Sequence, residues 1–291
     1  MPRARCNGLE LEYETFGSSG NPAVLLVMGW ATQMLAWDEE FCCALAGRGL
    51  HVIRFDNRDV GLSTKLDHLG VPNLAALLLR RTKPPYSLDD MAADATALLD
   101  MLGIERAHIV GASMGGVIAQ LIAINQPGRV LTLTSIMSGL GGSDEVQPSL
   151  AVIARLLRPP PSEREAMIEW AVRTARLIGS PAHFDEARAR SQRARSIDRS
   201  VCIAGVRRQF AAISAAPSRK VPLGRLRIPT LVIHGESDRL VPVENGRRTA
   251  AAIPGAHLLT IPGMGHDLPP QLWPRVLDAI AEHTSRIGAT A

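Results

Sequence analysis

The sequence predicts an α/β protein with a mostly parallel central sheet flanked by helices. Short apolar runs alternate with segments of helical spacing over most of the chain, which is the order expected of parallel strands joined by helices. The runs are apolar throughout, as in strands that are buried on both faces. The alternation stops between residues 140 and 220, where the sequence is helical and rich in Arg. We therefore expect a core domain formed by residues 1–139 and 221–291, with a helical cap inserted at 140–220.

The first half of the chain contains the segments expected to form the first strands and helices. Leu9, Leu11 and Tyr13 alternate with acidic residues, which is the two-residue period of a half-exposed strand. Ser87 opens a helix, and Asp90 three residues later gives it the start of a capping box. The other elements expected here are a strand over 23–28, a helix over 38–46, a strand over 51–56 and, within an irregular stretch over 63–86, the apolar segment 74–81.

The second half of the chain repeats the pattern on both sides of the expected cap. Each of its four predicted strands spans seven residues, a usual length for a strand. The expected elements are strands over 107–113, 130–136, 229–235 and 257–263, and helices over 114–125 and 243–253, the first of them stopped by Pro127.

Composition argues against a membrane protein and against several cofactor classes. No run approaches the roughly 20 apolar residues that span a bilayer. No apolar segment follows the basic N-terminus, which therefore does not resemble a signal peptide, and we expect a cytoplasmic protein. The four cysteines lack metal-binding spacing, so we expect reduced thiols, mostly buried. Because GxGxxG, Walker and HExxH patterns are absent, we expect neither a nucleotide cofactor nor a metal.

Positive charge is concentrated in the expected cap. The chain carries a net charge of +4, and residues 141–220 hold 13 Arg and one Lys against eight Asp and Glu. The arginines alternate with Ala and Glu at helical spacing, which favours a solvated helix face over a binding surface. The alternative is a cap that attracts anionic substrates. A nucleic-acid site is not expected, because aromatic residues are not interleaved with the basic ones.

The strongest motif is Gly111-Ala112-Ser113-Met114-Gly115, which fits G-x-S-x-G. An apolar strand precedes it and a helix follows, so the serine is expected at the tip of a tight strand-to-helix turn. The two glycines would allow neighbouring backbone to approach, and the helix N-terminus would offer free N–H groups beside the serine. Ser113 is therefore our candidate nucleophile, which requires a base within hydrogen-bond reach.

The candidate base and acid follow the serine in the order acid, then histidine. Asp238 comes directly after the strand over 229–235, and His266 directly after the strand over 257–263. Because the carboxyl ends of parallel strands meet at one edge of a sheet, we expect both beside Ser113. His266 would take the serine proton and Asp238 would orient the imidazole. Glu236 is the only serious alternative to Asp238, and His234 is assigned a structural role inside its strand.

An oxyanion formed at Ser113 would need two backbone donors. The Met114 N–H, directly after the nucleophile, is one candidate, and the Trp30 N–H, in the loop after the strand over 23–28, is the other. A substrate pocket should be largely apolar, and its candidate lining residues are Met28, Met137 and Trp170. Ordinary core packing is an equally good interpretation of these three.

At this point the sequence resembles the α/β-hydrolase superfamily of serine hydrolases over nearly the whole chain outside the cap. Residues 56–63, DNRDVGLS, are similar to the family's D-x-R-G-x-G-x-S loop, with Asp59 where Gly is usual. The segments over 27–37, 51–64 and 261–266 are most similar to small carboxylesterases of the aclacinomycin methylesterase type. The resemblance implies an α/β-hydrolase fold, Ser113, Asp238 and His266 as the triad, and Trp30 and Met114 as oxyanion donors. The resemblance does not indicate which substrate is used, because the cap sequence shows no comparable similarity to the family.

Three functions are compatible with these residues. The first is hydrolysis of a carboxylic ester of a small, largely apolar molecule through an acyl-enzyme. The second uses the same triad for perhydrolysis, lactone opening or C–C bond hydrolysis. The third is a non-catalytic binding protein on the same fold, which is disfavoured because no triad member is missing. Monomer and homodimer remain open.

Overall fold

An eight-stranded sheet lies at the centre of the computed structural model, which describes residues 2–73 and 83–285. The apolar segment 74–81 lies outside the described residues. The strands are β1 (Arg3–Cys6), β2 (Leu9–Phe16), β3 (Ala23–Val27), β4 (His51–Phe55), β5 (Ala107–Ala112), β6 (Val130–Ile136), β7 (Thr230–Gly235) and β8 (His257–Ile261).

Helices connect these strands and cover the sheet. Within the described ranges they are α1 (Glu39–Ala46), α2 (Leu88–Met101), α3 (Met114–Asn125), α4 (Leu150–Leu157), α5 (Arg164–Ile178), α6 (Glu186–Arg199), α7 (Ile203–Ala215), α8 (Lys220–Leu223), α9 (Val243–Ala252) and α10 (Trp273–Ser285). The predicted capping box of α2 is confirmed, since the Asp90 N–H donates to Ser87 Oγ and the Asp90 carboxylate accepts from the Ser87 N–H.

The strand order is β1-β2-β4-β3-β5-β6-β7-β8. The β1–β2 and β2–β4 pairs are antiparallel, and all pairs from β4 to β8 are parallel. The predicted fold class is therefore confirmed. The parallel pairing directs the carboxyl ends of β3, β5, β6, β7 and β8 to one edge, where parallel sheets form their sites.

The first strand was not predicted from the sequence. β1 and β2 form an antiparallel hairpin around Asn7 and Gly8, which have φ angles of 49° and 78°. Positive φ at both central residues is the geometry of the tight hairpin turn that Asn-Gly favours. The Asn7-Gly8 dipeptide was thus an available indication of this strand.

The sheet separates two apolar cores. Side chains alternate along a strand, so Leu25 and Val27 of β3 face one core while Val24 and Leu26 face the other. Helices α2 and α3 cover the first core, and α1 and α10 cover the second. Since every residue of β3 is buried, a continuous apolar run is what this position requires.

Helices α4 to α8 lie between β6 and β7, and α4 to α7 fall within residues 140–220, which the sequence predicts to be helical. The arginines there are only partly a solvated face. Arg190 pairs with Glu169 of α5, whereas Arg188 pairs with Asp38 and Arg199 with Asp56, two carboxylates of the sheet-bearing part of the chain. These arginines therefore form ion pairs between the inserted helices, and between those helices and the sheet-bearing part of the chain.

The cysteines are free thiols in the structure. Cys6 and Cys42 are buried, whereas Cys43 is exposed and Cys202 is half-buried. In the part of the chain that the structure describes, no helix has the length and apolar character needed to cross a membrane. The same residues contain no group of three or more His, Cys, Asp or Glu arranged to hold a metal ion.

Candidate active site

Ser113 stands at the turn between β5 and α3 with φ 57° and ψ −123°, a conformation that L residues rarely adopt. Such a backbone costs on the order of 1–3 kcal/mol and persists only where surrounding contacts hold it. Here the Ser113 N–H donates to the Ile136 carbonyl at 2.9 Å, and its carbonyl accepts from the Gly116 N–H at 2.9 Å. The turn presents the side chain at the carboxyl edge of the sheet.

The two motif glycines are required by backbone packing. A Cβ added to Gly111 would lie 2.0 Å from the Gly115 carbonyl oxygen. A Cβ added to Gly115 would lie 2.1 Å from the Val27 carbonyl oxygen at the end of β3. Real Cβ atoms do not come this close to backbone, so only glycine lets β3, β5 and α3 meet around the serine.

We expect Gly115→Ala to lower the free energy of unfolding by about 1–3 kcal/mol, because the added methyl group must displace backbone and not a flexible side chain. Chemical denaturation would measure the change. The matched control is Gly128→Ala, since a Cβ at Gly128 meets no atom within 4 Å. Equal stability of the two variants would contradict the close-packing explanation.

His266 connects Ser113 to Asp238 in one hydrogen-bonded row. Its Nε2 lies 2.9 Å from Ser113 Oγ, and its Nδ1 lies 2.7 Å from Asp238 Oδ2. A carboxylate accepts only, so Nδ1 carries the proton and Nε2 is left to accept from the Ser113 hydroxyl. The Asp238 side chain is fully buried and that of His266 is 8% exposed. The structure thus brings all three predicted residues together.

Asp238 is itself held by its own loop. Its Oδ1 accepts from the backbone N–H groups of Leu240 and Val241, at 2.9 and 2.8 Å. His234, buried within β7, lies next to it, with Nε2 donating to the Val241 carbonyl at 2.8 Å and lying 3.7 Å from Asp238 Oδ2. Burial lowers the pKa of His234, which agrees with the predicted structural role. Glu236, the alternative acid, is exposed and accepts instead from the Thr260 hydroxyl.

The loop after β3 passes directly beside the serine. A Cβ added to Gly29 would lie 3.0 Å from Ser113 Cβ, so the following residue, Trp30, begins next to Ser113. Among hydrogen bonds between described residues, neither the Trp30 N–H nor the Met114 N–H serves as a donor. The Trp30 indole N–H donates to the Val206 carbonyl of α7 at 2.8 Å, which anchors this loop.

The three candidate pocket residues are placed differently. Met28 and Met137 are both buried in the same core cluster on one face of the sheet. Met137 has φ 43° directly after β6, and its N–H donates to the Ile233 carbonyl of β7. Trp170 belongs to α5 and stacks against Arg155 of α4, whose guanidinium carbon lies 4.7 Å from the ring centroid. The contacts described for Trp170 are with inserted helices and not with Ser113.

Sequence reasoning missed one part of this site. The carboxylate of Asp267, the residue after His266, accepts from the N–H and the hydroxyl of Ser180, just beyond α5. Burial raises the pKa of Asp267, and the two donors of Ser180 oppose that shift. No motif marks Ser180, so only the folded chain reveals the contact.

Comparison with known proteins agrees with the fold. The family model of the α/β hydrolase fold matches residues 22–270. Rhodomycin D methylesterase DauP of Streptomyces sp. (strain C5) is 32% identical over 93% of each chain. The 2-hydroxy-6-oxononadienedioate/2-hydroxy-6-oxononatrienedioate hydrolase 2 of Pseudomonas putida is 32% identical over 62% of this chain and 63% of its own. The esterase RhEst1 from Rhodococcus sp. ECU1013 superposes with a TM-score of 0.78 over 99% of both chains, at 21% identity, which shows the fold. The chain therefore belongs to the α/β-hydrolase fold family and is a hydrolase of the carboxylesterase type.

Proposed function

We propose that this protein hydrolyses a carboxylic ester of a small, largely apolar substrate through an acyl-enzyme on Ser113. The observation that carries the proposal is the row Ser113–His266–Asp238, joined at 2.9 and 2.7 Å at the carboxyl edge of the sheet. The similarity to a rhodomycin D methylesterase over 93% of the chain supports ester chemistry specifically.

Acylation would begin when Ser113 Oγ attacks the ester carbonyl while its proton passes to His266 Nε2. The resulting imidazolium is stabilised by Asp238, which stays ionised. The tetrahedral intermediate then expels the alkoxide, which takes the proton back from Nε2 and leaves as the alcohol. A water molecule, deprotonated by the same nitrogen, attacks the acyl carbon, and the C–Oγ bond breaks as Ser113 regains its proton.

The negative oxygen of each intermediate would accept from the backbone N–H groups of Met114 and Trp30. Met114 is the first residue of α3, where N–H groups lack intrahelical partners and the helix dipole favours negative charge. Trp30 approaches from the β3 loop, which contacts Ser113 at Gly29. Removing one preorganised donor of this kind raises the activation free energy by about 2.7–4 kcal/mol.

The helices between β6 and β7 would act as a cap over this site, with residues 140–220 as cap and 1–139 and 221–291 as core. Met28, Met137 and Trp170 would line the pocket. Because the proposed steps use only protein groups and water, no metal or organic cofactor takes part.

Turnover of p-nitrophenyl esters, from acetate to long-chain acyl groups, tests this proposal. We expect hydrolysis of the short esters at a rate unchanged by EDTA, with the chain length at which the rate falls measuring the acyl pocket. The same three side chains would also support C–C bond hydrolysis, and the relative matched over 62% of this chain is named as a hydrolase of 2-hydroxy-6-oxononadienedioate. A 2-hydroxy-6-oxo-dienoate is therefore included as a substrate. Turnover of that compound alone would overturn ester hydrolysis as the function.

A further inference from the structure

The His266 loop is held by the inserted helices as well as by the sheet. The backbone N–H of His266 donates to the carbonyl of Ile178, the last residue of α5, at 2.7 Å. Asp238 fixes the imidazole from its Nδ1 side only. The backbone that carries the imidazole therefore has its own anchor, and that anchor belongs to the inserted segment.

Ser180 supplies most of this anchor. Its side chain is fully buried, its hydroxyl donates to Asp267 Oδ1 at 2.5 Å, and the same hydroxyl accepts from the Gly265 N–H at 2.8 Å. The Ser180 N–H donates to the same Asp267 oxygen at 2.9 Å. The residues before and after His266 are thus both bonded to one serine.

The two backbones meet without room for side chains. A Cβ added to Gly265 would lie 2.2 Å from the carbonyl carbon of Gly179. A Cβ added to Gly179 would lie 2.8 Å from Asp267 Oδ2. The end of α5 and the His266 loop therefore pack as one unit, and a shift of one must shift the other.

We propose that Ser180 and Asp267 are positioning residues, a clamp through which the inserted helices set the His266 imidazole between Ser113 and Asp238. This inference rests on the proposed function, since it assigns a purpose to the geometry of His266 in acyl transfer. According to this proposal, the position of the inserted helices determines the position of the His266 imidazole. If the inserted helices moved from the position they hold here, they would either release these four hydrogen bonds or carry His266 out of line with Ser113.

The step most sensitive to this placement is proton delivery to the leaving group. An alkoxide needs the proton from His266 Nε2 as it departs, whereas p-nitrophenoxide leaves without it. A displaced imidazole should therefore slow methyl or ethyl esters more than p-nitrophenyl esters of the same acid. A general loss of folded protein would slow both equally.

The experiment compares Ser180→Ala, Asp267→Ala and Asp267→Asn on such a matched pair of esters, with rates normalised to sites titrated by a phosphonate. For Ser180→Ala and Asp267→Ala we expect kcat on the alkyl ester to fall by about 10²-fold, the scale of a small misplacement. The p-nitrophenyl ester should lose about tenfold or less, with KM nearly unchanged. Asp267→Asn keeps an acceptor oxygen for Ser180 and should retain activity within a few-fold of wild type.

Ser218→Ala is the matched control. The Ser218 hydroxyl also donates to a carboxylate, that of Asp144, and accepts from a backbone N–H, that of Lys220. Among the described residues it forms no hydrogen bond with the His266 loop. We expect unchanged kinetics for this variant. If Asp267→Ala does not fold, Ser180→Ala carries the test, because it removes a single oxygen atom.

The outcomes separate the two proposals. Equal losses on both esters, or no loss for Ser180→Ala, would overturn the clamp while leaving the proposed function intact. Wild-type rates in Ser113→Ala would instead overturn the proposed function itself.

Discussion

Ser113→Ala is expected to lower kcat/KM for p-nitrophenyl acetate by about 10⁴-fold or more while the protein stays folded. Removing a nucleophile that acts as a unit with its base removes nearly all of the covalent route, and only transition-state binding remains. The Oγ atom is hydrogen-bonded to His266 at 2.9 Å, so the alanine leaves that base without a proton to take. Steady-state kinetics on protein matched for folded content would measure the loss.

Two further variants control this result. Ser113→Gly should be equally inactive but more stable than Ser113→Ala, by about 1 kcal/mol or more, because glycine adopts φ 57° without strain. Ser138→Ala removes another buried hydroxyl, one that lacks a hydrogen-bond partner among the described residues, and should leave the rate unchanged. A Ser113→Ala variant with wild-type turnover, or a wild type that a phosphonate fails to label at Ser113, would refute the nucleophile assignment.

Strand-end geometry explains why the candidate site residues could be selected from sequence. Ser113, Asp238 and His266 each follow a strand of the parallel part of the sheet, and parallel strands end at a common edge. A residue's place directly after a parallel strand therefore predicted which distant residues it would lie beside. The edge strand β1 gave a weaker pattern, because it has only four residues and two of them are exposed arginines.

The Ser180–Asp267 contact could not be predicted in the same way. These residues are 87 positions apart, and Ser180 lies in the segment inserted between β6 and β7, which follows no strand periodicity. Its partner is determined by how α5 packs on the His266 loop, a tertiary contact that leaves no local spacing in the sequence. Trp170 also lies in the inserted segment, where its ring stacks on Arg155, and its place in the pocket stays a prediction.

Asp59 shows how a departure from a family pattern becomes interpretable in the structure. Its φ of 69° is the left-handed conformation that favours glycine, the residue usual at this position of the resembled loop. The aspartate keeps that backbone and adds a carboxylate that accepts two hydrogen bonds from Arg208 of α7, both 2.7 Å long. Both side chains are fully buried. The departure therefore adds an attachment between the inserted helices and the loop after β4.

The Asp59–Arg208 ion pair is expected to make a large contribution to the stability of the protein. We expect Arg208→Met to lower the free energy of unfolding by about 3–5 kcal/mol, because it leaves a carboxylate buried without its countercharge. Burial alone would raise the pKa of Asp59, but the bonds from Arg208, the Leu66 N–H and Tyr86 outweigh it and hold that pKa below its ordinary value. The stabilisation by this pair is therefore complete at neutral pH. It is lost only as the pH falls below the ordinary aspartate range and through the lowered pKa of Asp59 in the folded protein. Urea denaturation at pH 7 would measure the loss.

The double variant distinguishes an ion pair from simple packing. Asp59→Gly in the Arg208→Met background removes the stranded carboxylate and relieves the left-handed backbone, but it also leaves the Leu66 N–H and the Tyr86 hydroxyl without their acceptor. It should therefore recover part of the lost stability. Arg164→Met is the control, since Arg164 pairs with Asp198 at an exposed site and should barely change the denaturation midpoint. If the double variant were no more stable than Arg208→Met alone, the unpaired charge would not be the main cost, and lost packing of the arginine and the bonds to Leu66 and Tyr86 would account for it. Recovery would instead show that Asp59 and Arg208 depend on each other, and that the attachment of α7 to the β4 loop is electrostatic in origin.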